Sequence, residues 1–167
     1  GDPVNLGASM TMTTPTRSLL SWLSARDLIT PEQAEEAEAY AHAHALHPRE
    51  ALMKLEHLSD TDLQRALREA GVPTWDRLTR PTPEALNKLN ARTAAQAHAV
   101  PLAVEAGALT LGMLDPLDAG AVRDLERRVG LRVKPYSLTV ATYRTLTQLI
   151  ARRAAGQGSG RLVIDPD

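Results

Sequence analysis

The sequence predicts an α+β fold, in which N-terminal tandem helical hairpins of four helices precede a small α-ββ-α-β-α subdomain. Prolines at expected first helical positions mark successive helix starts in the first half. In the second half, two short apolar stretches lie on either side of a glycine-containing turn, as in a β-hairpin. Aromatic residues make up 3% of the chain and Phe is absent, so Leu, Ala and Val must build a helix-rich core.

Four short helices are predicted in the first half. A proline at the first helical position costs no hydrogen bond, because the amide there has no partner inside the helix. This arrangement occurs at Thr14-Pro15, Thr30-Pro31 and His47-Pro48. Thr30 with Gln33 forms a capping box, and Ser59 with Asp62 is a weaker version of it. The helices are predicted over residues 15–26, 31–45, 48–56 and 60–70, the last ended by Gly71 and Pro73.

The four helices are two copies of one hairpin. A shift of 29 residues superposes apolar and capping positions of the first copy on those of the second. The matched pairs are Leu23 with Leu52, Asp27 with Glu56, Ile29 with Leu58, Thr30 with Ser59, Ala34 with Leu63 and Ala37 with Ala66. Packing alone preserves such positions, so the repeat indicates a fold and no particular chemistry.

The second half alternates helices with strands. Pro83 starts a helix that is predicted to continue to residue 98, because apolar residues recur on one of its faces. Strands are predicted over residues 100–104 and 109–114, and a third over 131–136. Helices are predicted over residues 119–129, ended by Gly130, and over residues 140–154.

Composition excludes several classes of function. The 167 residues carry 19 Lys and Arg against 20 Asp and Glu, a net charge of −1, so no global positive field attracts nucleic acid or anionic lipid. Zero cysteines exclude disulfides, cysteine-ligated zinc, iron–sulfur clusters and thiol catalysis. No apolar run approaches the roughly 18 residues of a membrane span. We expect a cytoplasmic protein that binds no nucleic acid and does not insert into a membrane.

Four segments are expected along the chain. Residues 1–13 have neither the layout of a signal peptide nor a helical period, and they predict a tag or disordered tail with the native start near Met10 or Met12. The helical-hairpin repeat subdomain is expected over residues 14–75 and the α/β subdomain over residues 76–155. Residues 156–167 begin with Gly-Gln-Gly-Ser-Gly, the composition of a flexible C-terminal linker.

Short motifs in a fixed order resemble a known family. They are Gly71-Val72-Pro73, Val100-Pro101-Leu102, Leu109-Thr110-Leu111-Gly112-Met113, Asp115-Pro116-Leu117-Asp118 and Gly130-Leu131-Arg132-Val133. Behind the duplicated hairpin, they resemble the N-terminal domain of type II secretion and type IV pilus assembly ATPases, often called the type II secretion E N-terminal domain. The resemblance covers nearly the whole folded body and implies a cytoplasmic docking or regulatory module of such a machine.

Some members of that family bind cyclic di-GMP through two tandem motifs, each beginning Arg-Leu-Gly, carrying a second Gly and ending in Gln. The resemblance places the two initial arginines at Ser18 and His47 and the first glycines at Leu20 and Arg49. It places the second glycines at Asp27 and Glu56 and the final glutamines at Ala41 and Ala70. Every ligand position has changed, and Asp27 and Glu56 would set carboxylates near a dianion. The resemblance therefore implies the hairpin fold without this ligand.

Candidate catalytic and metal-binding groups have structural explanations. His42, His44 and His47 are the most metal-like cluster, but at ~100° per residue His42 and His44 lie on different helix faces, and no acidic partner completes a site. The glycine-rich C-terminal segment lacks the Lys and Ser/Thr of a phosphate-binding loop. Gly-x-Ser-x-Gly is absent, and Asp115 and Asp118 are predicted to cap a turn and a helix. We expect no catalytic residue, cofactor or metal.

Trp22 marks the predicted partner-binding surface. It lies at the edge of an apolar stripe that spans ~160° of the first helix, wider than the ~100° a surface helix needs. Burial against the neighbouring hairpin would explain that width, and a partner surface is the alternative. Arg26 stands where the repeat places Leu55 in the second copy, so the first hairpin exposes a charge at a matched position. We predict docking through Leu19, Trp22 and Arg26.

A basic cluster is a second candidate surface. Its members on and after one helix are Arg123, Arg127, Arg128, Arg132 and Lys134. A solvated face is the expected role, because acidic residues dilute the charge and no aromatic residues are interleaved. Docking to an acidic partner is the alternative.

The sequence thus predicts a non-catalytic protein-interaction domain of a bacterial secretion or type IV pilus assembly ATPase, or of a stand-alone relative. Its expected partner is a protein component of that machine. The competing hypothesis is a regulatory module that senses cyclic di-GMP through a non-standard site. A calorimetric titration with cyclic di-GMP distinguishes the two.

Overall fold

The computed structural model describes the backbone of residues 17–163 and the side chains of residues 19–152. In that range, eight helices and one three-stranded sheet form an α+β fold, which confirms the predicted class. The predicted tail over residues 1–13 and the helix start at Thr14-Pro15 lie outside the described residues. None of the helices in the described range is long and apolar enough to cross a membrane.

The first half consists of α1 (Arg17–Ala25), α2 (Pro31–His44), α3 (Pro48–Lys54) and α4 (Asp60–Glu69). The capping box predicted at Thr30 is present, because its hydroxyl accepts from the Gln33 amide at 3.0 Å and the Gln33 side chain accepts from the Thr30 amide. His47 forms a second capping box with Glu50. The Ser59 side chain accepts from the amide of Asp62. Local capping chemistry therefore sets the starts of α2, α3 and α4.

The predicted repeat is present in the backbone. Each copy follows its first helix with a residue in the left-handed conformation, Asp27 (φ 60°) in the first copy and Glu56 (φ 61°) in the second. The next amide then donates to the carbonyl five residues earlier, from Leu28 to Leu23 and from His57 to Leu52, each at 3.0 Å. These bonds define a Schellman motif at each helix end. The two copies thus share a turn geometry as well as an apolar pattern.

The second half consists of α5 (Pro83–Lys88), α6 (Ala91–Gln96), β1 (Ala99–Glu105), β2 (Ala108–Met113), α7 (Ala119–Val129), β3 (Arg132–Ser137) and α8 (Val140–Val163). The single helix predicted over residues 83–98 is wrong, because it is divided into α5 and α6. Leu89 is extended (φ −142°, ψ 119°), and the Asn90 side chain accepts from the amide of Thr93, which starts a new helix. Asparagine is among the strongest N-caps, so it overrides the apolar period.

The last helix, α8, continues past its predicted end at Ala154. Its backbone includes residues 156–163, which the composition predicted to be part of a flexible linker. Extending a helix costs much less than starting one, since each added residue gains a hydrogen bond without a new nucleus. The existing helix therefore continues through a glycine-rich segment that would not start one.

The sheet has the strand order β1-β2-β3. β1 is antiparallel to β2, and β2 is parallel to β3 with α7 as the crossover that a parallel pair requires. Beyond β3, Thr74 forms an isolated parallel bridge with Ser137. All 6 residues of β2 are buried, as befits a central strand whose two faces are both covered.

Three apolar clusters form the interior. One lies within the helical repeat, one lies between a sheet face and α5 to α7, and one lies between the opposite sheet face and α8. On the α8 side, a Cβ at Gly112 would lie 2.6 Å from Cδ1 of Leu138. Close approach of Leu138 therefore requires glycine at this motif position.

Candidate functional site

The two halves of the chain meet around a buried cation, Arg49 of α3, which is 1% exposed. Its Nη1 donates to the carbonyl of Leu114 at 3.0 Å and to Oγ of Ser137 at 2.9 Å. Its Nη2 donates to Oε1 of Gln64 at 3.0 Å. Leu114 and Ser137 follow or end strands of the sheet, so Arg49 links the helical repeat to the α/β half.

Gln64 of α4 completes this network. Its Oε1 also accepts from Oγ of Ser137 at 2.6 Å. Its Nε2 donates to the carbonyl of Ser137 at 2.9 Å and to Oδ1 of Asp76 at 3.0 Å. Gln64 and Ser137 are both buried. A buried polar network of this kind favours one arrangement of the two halves, because each bond lost would leave a desolvated group unpaired.

Asp60 caps a helix of the other half. Its carboxylate oxygens accept from the amides of Val140 at 3.0 Å and Ala141 at 3.3 Å, at the start of α8. These amides have no partner inside the helix, and the negative charge complements the helix dipole. Oδ1 of Asp60 also lies 3.6 Å from Nε of Arg49. Burial lowers the pKa of Arg49 to about 10 while the nearby carboxylates oppose that shift, so the guanidinium stays charged at neutral pH.

Asp115 of the α/β half bonds a helix of the helical repeat. Its Oδ2 accepts from the amide of Leu19 at 3.2 Å, in the first turn of α1, and its Oδ1 accepts from the amide of Leu117 at 3.0 Å. Burial raises the pKa of Asp115 to about 7, because the desolvation outweighs the two amide donors. The predicted caps are confirmed, since Asp115 closes its own turn and Asp118 accepts from the Ala121 amide at 3.0 Å. The link from Asp115 to α1 was not predicted.

The positions that resemble the cyclic di-GMP motifs hold structural side chains. Leu20 is 2% exposed, His47 is 4% exposed and Arg49 is 1% exposed. The first-glycine position of each copy is therefore filled by a side chain packed in protein. At the second-glycine positions, Asp27 and Glu56 are exposed and keep the left-handed backbone that favours glycine. The left-handed backbone is thus present at these two positions without glycine.

The structure separates the three residues of the predicted partner surface. Leu19 is fully buried in the core of the helical repeat. Trp22 is half-buried against that core, and the exposed Arg26 places its guanidinium carbon 4.4 Å from the indole centroid. Trp22 and Arg26 therefore form one cation–π pair at the surface, and Leu19 lies beneath them. Docking at this surface stays a prediction.

His42, His44 and His47, the predicted metal-like set, do not come together. His42 and His44 are exposed on α2, whereas His47 is buried and its Nδ1 accepts from the Arg49 amide at 3.0 Å. Burial, helped by His98 and Arg49, lowers the pKa of His47 to about 3, so the ring is neutral at physiological pH. Among the residues whose side chains the structure describes, no group of three possible ligands surrounds a metal position.

A cavity of about 460 Å³ lies between α5, α6 and α8. Its lining is apolar apart from Asn87 and Thr147. The lining contains no charged side chain, so it provides no general base and no counter-ion for a charged ligand. It also contains none of the residues of the Arg49 network.

Sequence reasoning did not identify Arg49, Gln64 and Ser137 as a group. A partial signal was present, because Arg49 replaces a glycine of the motif that it resembles. The partners of Arg49 lie 65 and 88 residues away at Leu114 and Ser137, beyond the range of any periodicity or spacing rule. Only the folded chain brings these groups together.

Comparisons with known proteins agree with this architecture. The family model described as the MshEN domain matches residues 71–160. A structure of MshE with cdg has a TM-score of 0.55 and 19% identity, and the match covers 80% of this chain and 96% of that one. The N-terminal domain of XpsE has a TM-score of 0.59 and 19% identity, and covers 80% and 94% of the two chains. At this identity the structural likeness shows the fold alone. No curated protein sequence matches the chain.

Proposed function

This chain belongs to the MshEN domain family, and we propose that it is a non-catalytic docking domain of a bacterial secretion or type IV pilus assembly ATPase, or of a stand-alone relative. The MshEN domain is a non-catalytic N-terminal domain in ATPases of this kind. The role proposed here is to bind another protein component of the machine in the cytoplasm.

The side chains that occupy the first-glycine positions of the two motifs support this proposal. In the resembling motifs, glycine lets the backbone approach a ligand. Here Leu20 is packed in the core of the helical repeat, and Arg49 is bonded to Leu114, Gln64 and Ser137. A dinucleotide at either position would have to displace these side chains and leave their partners unpaired. These contacts favour protein docking over nucleotide sensing.

The proposed docking surface is centred on Trp22 and Arg26. Leu19, the third predicted residue, supports this surface from the core and is not itself within reach of a partner. The indole supplies apolar area and the exposed guanidinium supplies a charge, a combination common at the centre of protein interfaces. A partner with an apolar pocket beside a carboxylate would match it.

Sensing of cyclic di-GMP is the second candidate function. It is favoured by the likeness to MshE, whose structure was solved with cdg. Isothermal titration calorimetry of the chain with cyclic di-GMP tests it, and we expect no saturable heat up to millimolar ligand. Saturable binding with amide shifts centred on Leu20 or Arg49 would replace docking by nucleotide sensing as the proposed function.

The docking surface is tested by surface plasmon resonance against the cytoplasmic parts of secretion and pilus components, one at a time. Trp22→Ala is expected to weaken binding by about 2 kcal/mol or more, with a small change in the free energy of unfolding. Arg26→Glu should weaken the same interaction, and Arg65→Glu, another exposed arginine of the helical half, is the matched control. If Trp22→Ala unfolds the domain by about 3 kcal/mol and binding follows the folded fraction, Trp22 is a core residue.

A further inference from the structure

A second surface combines cations with aromatic rings on β3. Side chains alternate along a strand, so Arg132, Lys134 and Tyr136 lie on one face of it. Tyr136 packs edge-on against Trp75, with ring centroids 5.7 Å apart. Arg77 in turn places its guanidinium carbon 4.9 Å from the indole centroid of Trp75. These contacts connect the face of β3 that carries Arg132 and Lys134 with Arg77, and we call Arg132, Lys134, Tyr136, Trp75, Arg77 and the adjacent Leu78 the β3 surface.

The charges of the β3 surface are not neutralised. Nearby arginines are paired, since Arg127 and Arg128 both contact Asp124, and Arg68 contacts Asp76. By contrast, three exposed cations of the β3 surface form no ion pair with any residue whose side chain the structure describes: Arg77, Arg132 and Lys134. The surface therefore presents uncompensated positive charge, although the whole chain has a net charge of −1.

An apolar group lies beside one of these cations. Leu78 follows Arg77 in the chain and is 58% exposed, more than any other large hydrophobic side chain in the described range. Water contact over so much apolar area is unfavourable, and covering it would favour association. A partner that matched this surface would thus bring an apolar side chain as well as negative charge.

Strand addition at the outer edge of β3 is blocked. The amide of Val133 donates to Oε2 of Glu126 at 2.9 Å, and that of Ser137 donates to the carbonyl of Pro73 at 2.8 Å. Between them, Pro135 has no amide hydrogen to offer. The donors on this edge are thus already used or absent, and recognition falls to the side chains.

We propose that the β3 surface docks an acidic segment of a partner protein that carries at least one apolar side chain. Charge complementarity with the three unpaired cations and the exposure of Leu78 support this occupant. A nucleic acid fits less well, because Trp75 already packs against both Tyr136 and Arg77, and a polyanion would leave Leu78 uncovered. The proposal does not depend on docking at Trp22.

The test uses a fluorescein-labelled peptide of repeated Asp-Glu-Leu-Glu and a control peptide of repeated Asn-Gln-Leu-Gln. The double variant Arg132→Glu/Lys134→Glu should weaken binding of the acidic peptide at least about tenfold. The matched control Lys54→Glu/Lys88→Glu changes the net charge equally at exposed positions elsewhere, and should weaken it less than about twofold. Leu78→Ser should weaken binding without changing its salt dependence. In the wild-type chain, amide shifts on peptide addition should concentrate at residues 75–78 and 132–136.

Several results would overturn this inference. Equal losses in the two double variants would show non-specific attraction. Tighter binding of a single-stranded oligonucleotide at the same residues would identify a nucleic-acid surface. Self-association that disappears in Arg132→Glu/Lys134→Glu would identify a second copy as the occupant. Absence of localised amide shifts at millimolar peptide would exclude acidic docking, even if the variants failed to fold. Trp22→Ala is titrated with the same acidic peptide, and its affinity should equal that of the wild type. The β3 surface is thereby tested independently of the docking surface at Trp22 and Arg26.

Discussion

Nη1 of Arg49 and Oγ of Ser137 lie 2.9 Å apart, although the two residues are separated by 88 positions in the chain. The bond joins the helical repeat to the last residue of β3, in a region that excludes water. Because Arg49 also donates to the carbonyl of Leu114 and to Oε1 of Gln64, one side chain satisfies acceptors from both halves. This network is where the repeat and the α/β half depend on each other.

Removing Arg49 should therefore destabilise the whole domain. Arg49→Ala leaves the acceptors and Asp60 without their cation, and we expect a loss of about 3 kcal/mol or more in the free energy of unfolding, measured by urea titration. Arg49→Lys should lose less unfolding free energy than Arg49→Ala, because lysine keeps the positive charge. It should still be less stable than the wild type, because lysine cannot reach three acceptors at once. Arg65→Ala, at an exposed pair with Asp62, is the control and should cost below about 0.5 kcal/mol. Similar losses for Arg49→Ala and Arg65→Ala would contradict the role of the network.

Glycine at the left-handed positions of the repeat should stabilise the fold. Glu56→Gly is expected to gain about 0.5–1 kcal/mol, because a non-glycine residue at φ 61° is strained. Asp27→Gly should gain less, since the short side chain of Asp tolerates this conformation better. Thermal or urea unfolding measures both changes. The reverse substitution Gly130→Ala, at φ 73°, should destabilise, and stabilisation by it would refute the argument.

Alanine at Gly112 should be destabilising by overpacking. Its Cβ would lie 2.6 Å from Leu138, so we expect a cost of about 1–3 kcal/mol. Gly120→Ala provides the control, because its Cβ would lie 3.6 Å from Asp118 in a helix, and it should be neutral or stabilising. A double-mutant cycle with Leu138→Ala should show coupling between the two sites. If the losses of unfolding free energy in the two single variants simply added in the double variant, the Cβ at residue 112 would be accommodated by movements other than those of Leu138.

Asp115 should make stability fall as pH rises. Burial raises its pKa from 3.8 to about 7, so its protonated form stabilises the fold fully below the unfolded value and that contribution is lost as pH rises through about 7. His47 acts in the opposite direction, because its lowered pKa makes stability rise between about 3 and 6.5. The difference in unfolding free energy between wild type and Asp115→Asn cancels the contribution of His47. From pH 4 to pH 8, the wild type should lose on the order of 2 kcal/mol of unfolding free energy relative to Asp115→Asn. A difference independent of pH would contradict the buried carboxyl.

Much of the fold was determined by the sequence alone. Thr30 and Ser59 were predicted as helix caps and are confirmed, because a cap bonds an amide two or three residues away. The α+β class and the family resemblance were also predicted and are confirmed. The helix predicted over residues 83–98 was wrong, because the apolar period runs through Asn90, whose side chain caps a new helix there. The predicted boundary at residue 75 and the docking role of Leu19, Trp22 and Arg26 stay predictions.

The tertiary structure alone decided the junction between the halves. Asp115 was predicted as a local cap, but its second oxygen accepts from Leu19, 96 residues earlier. Asp60 likewise caps a helix that begins 80 residues later, at Val140. No spacing rule predicts these pairs, because their geometry arises only when apolar packing has placed the helix ends beside them. A carboxylate and a helix amide without a partner inside its own helix then meet, and each satisfies the other.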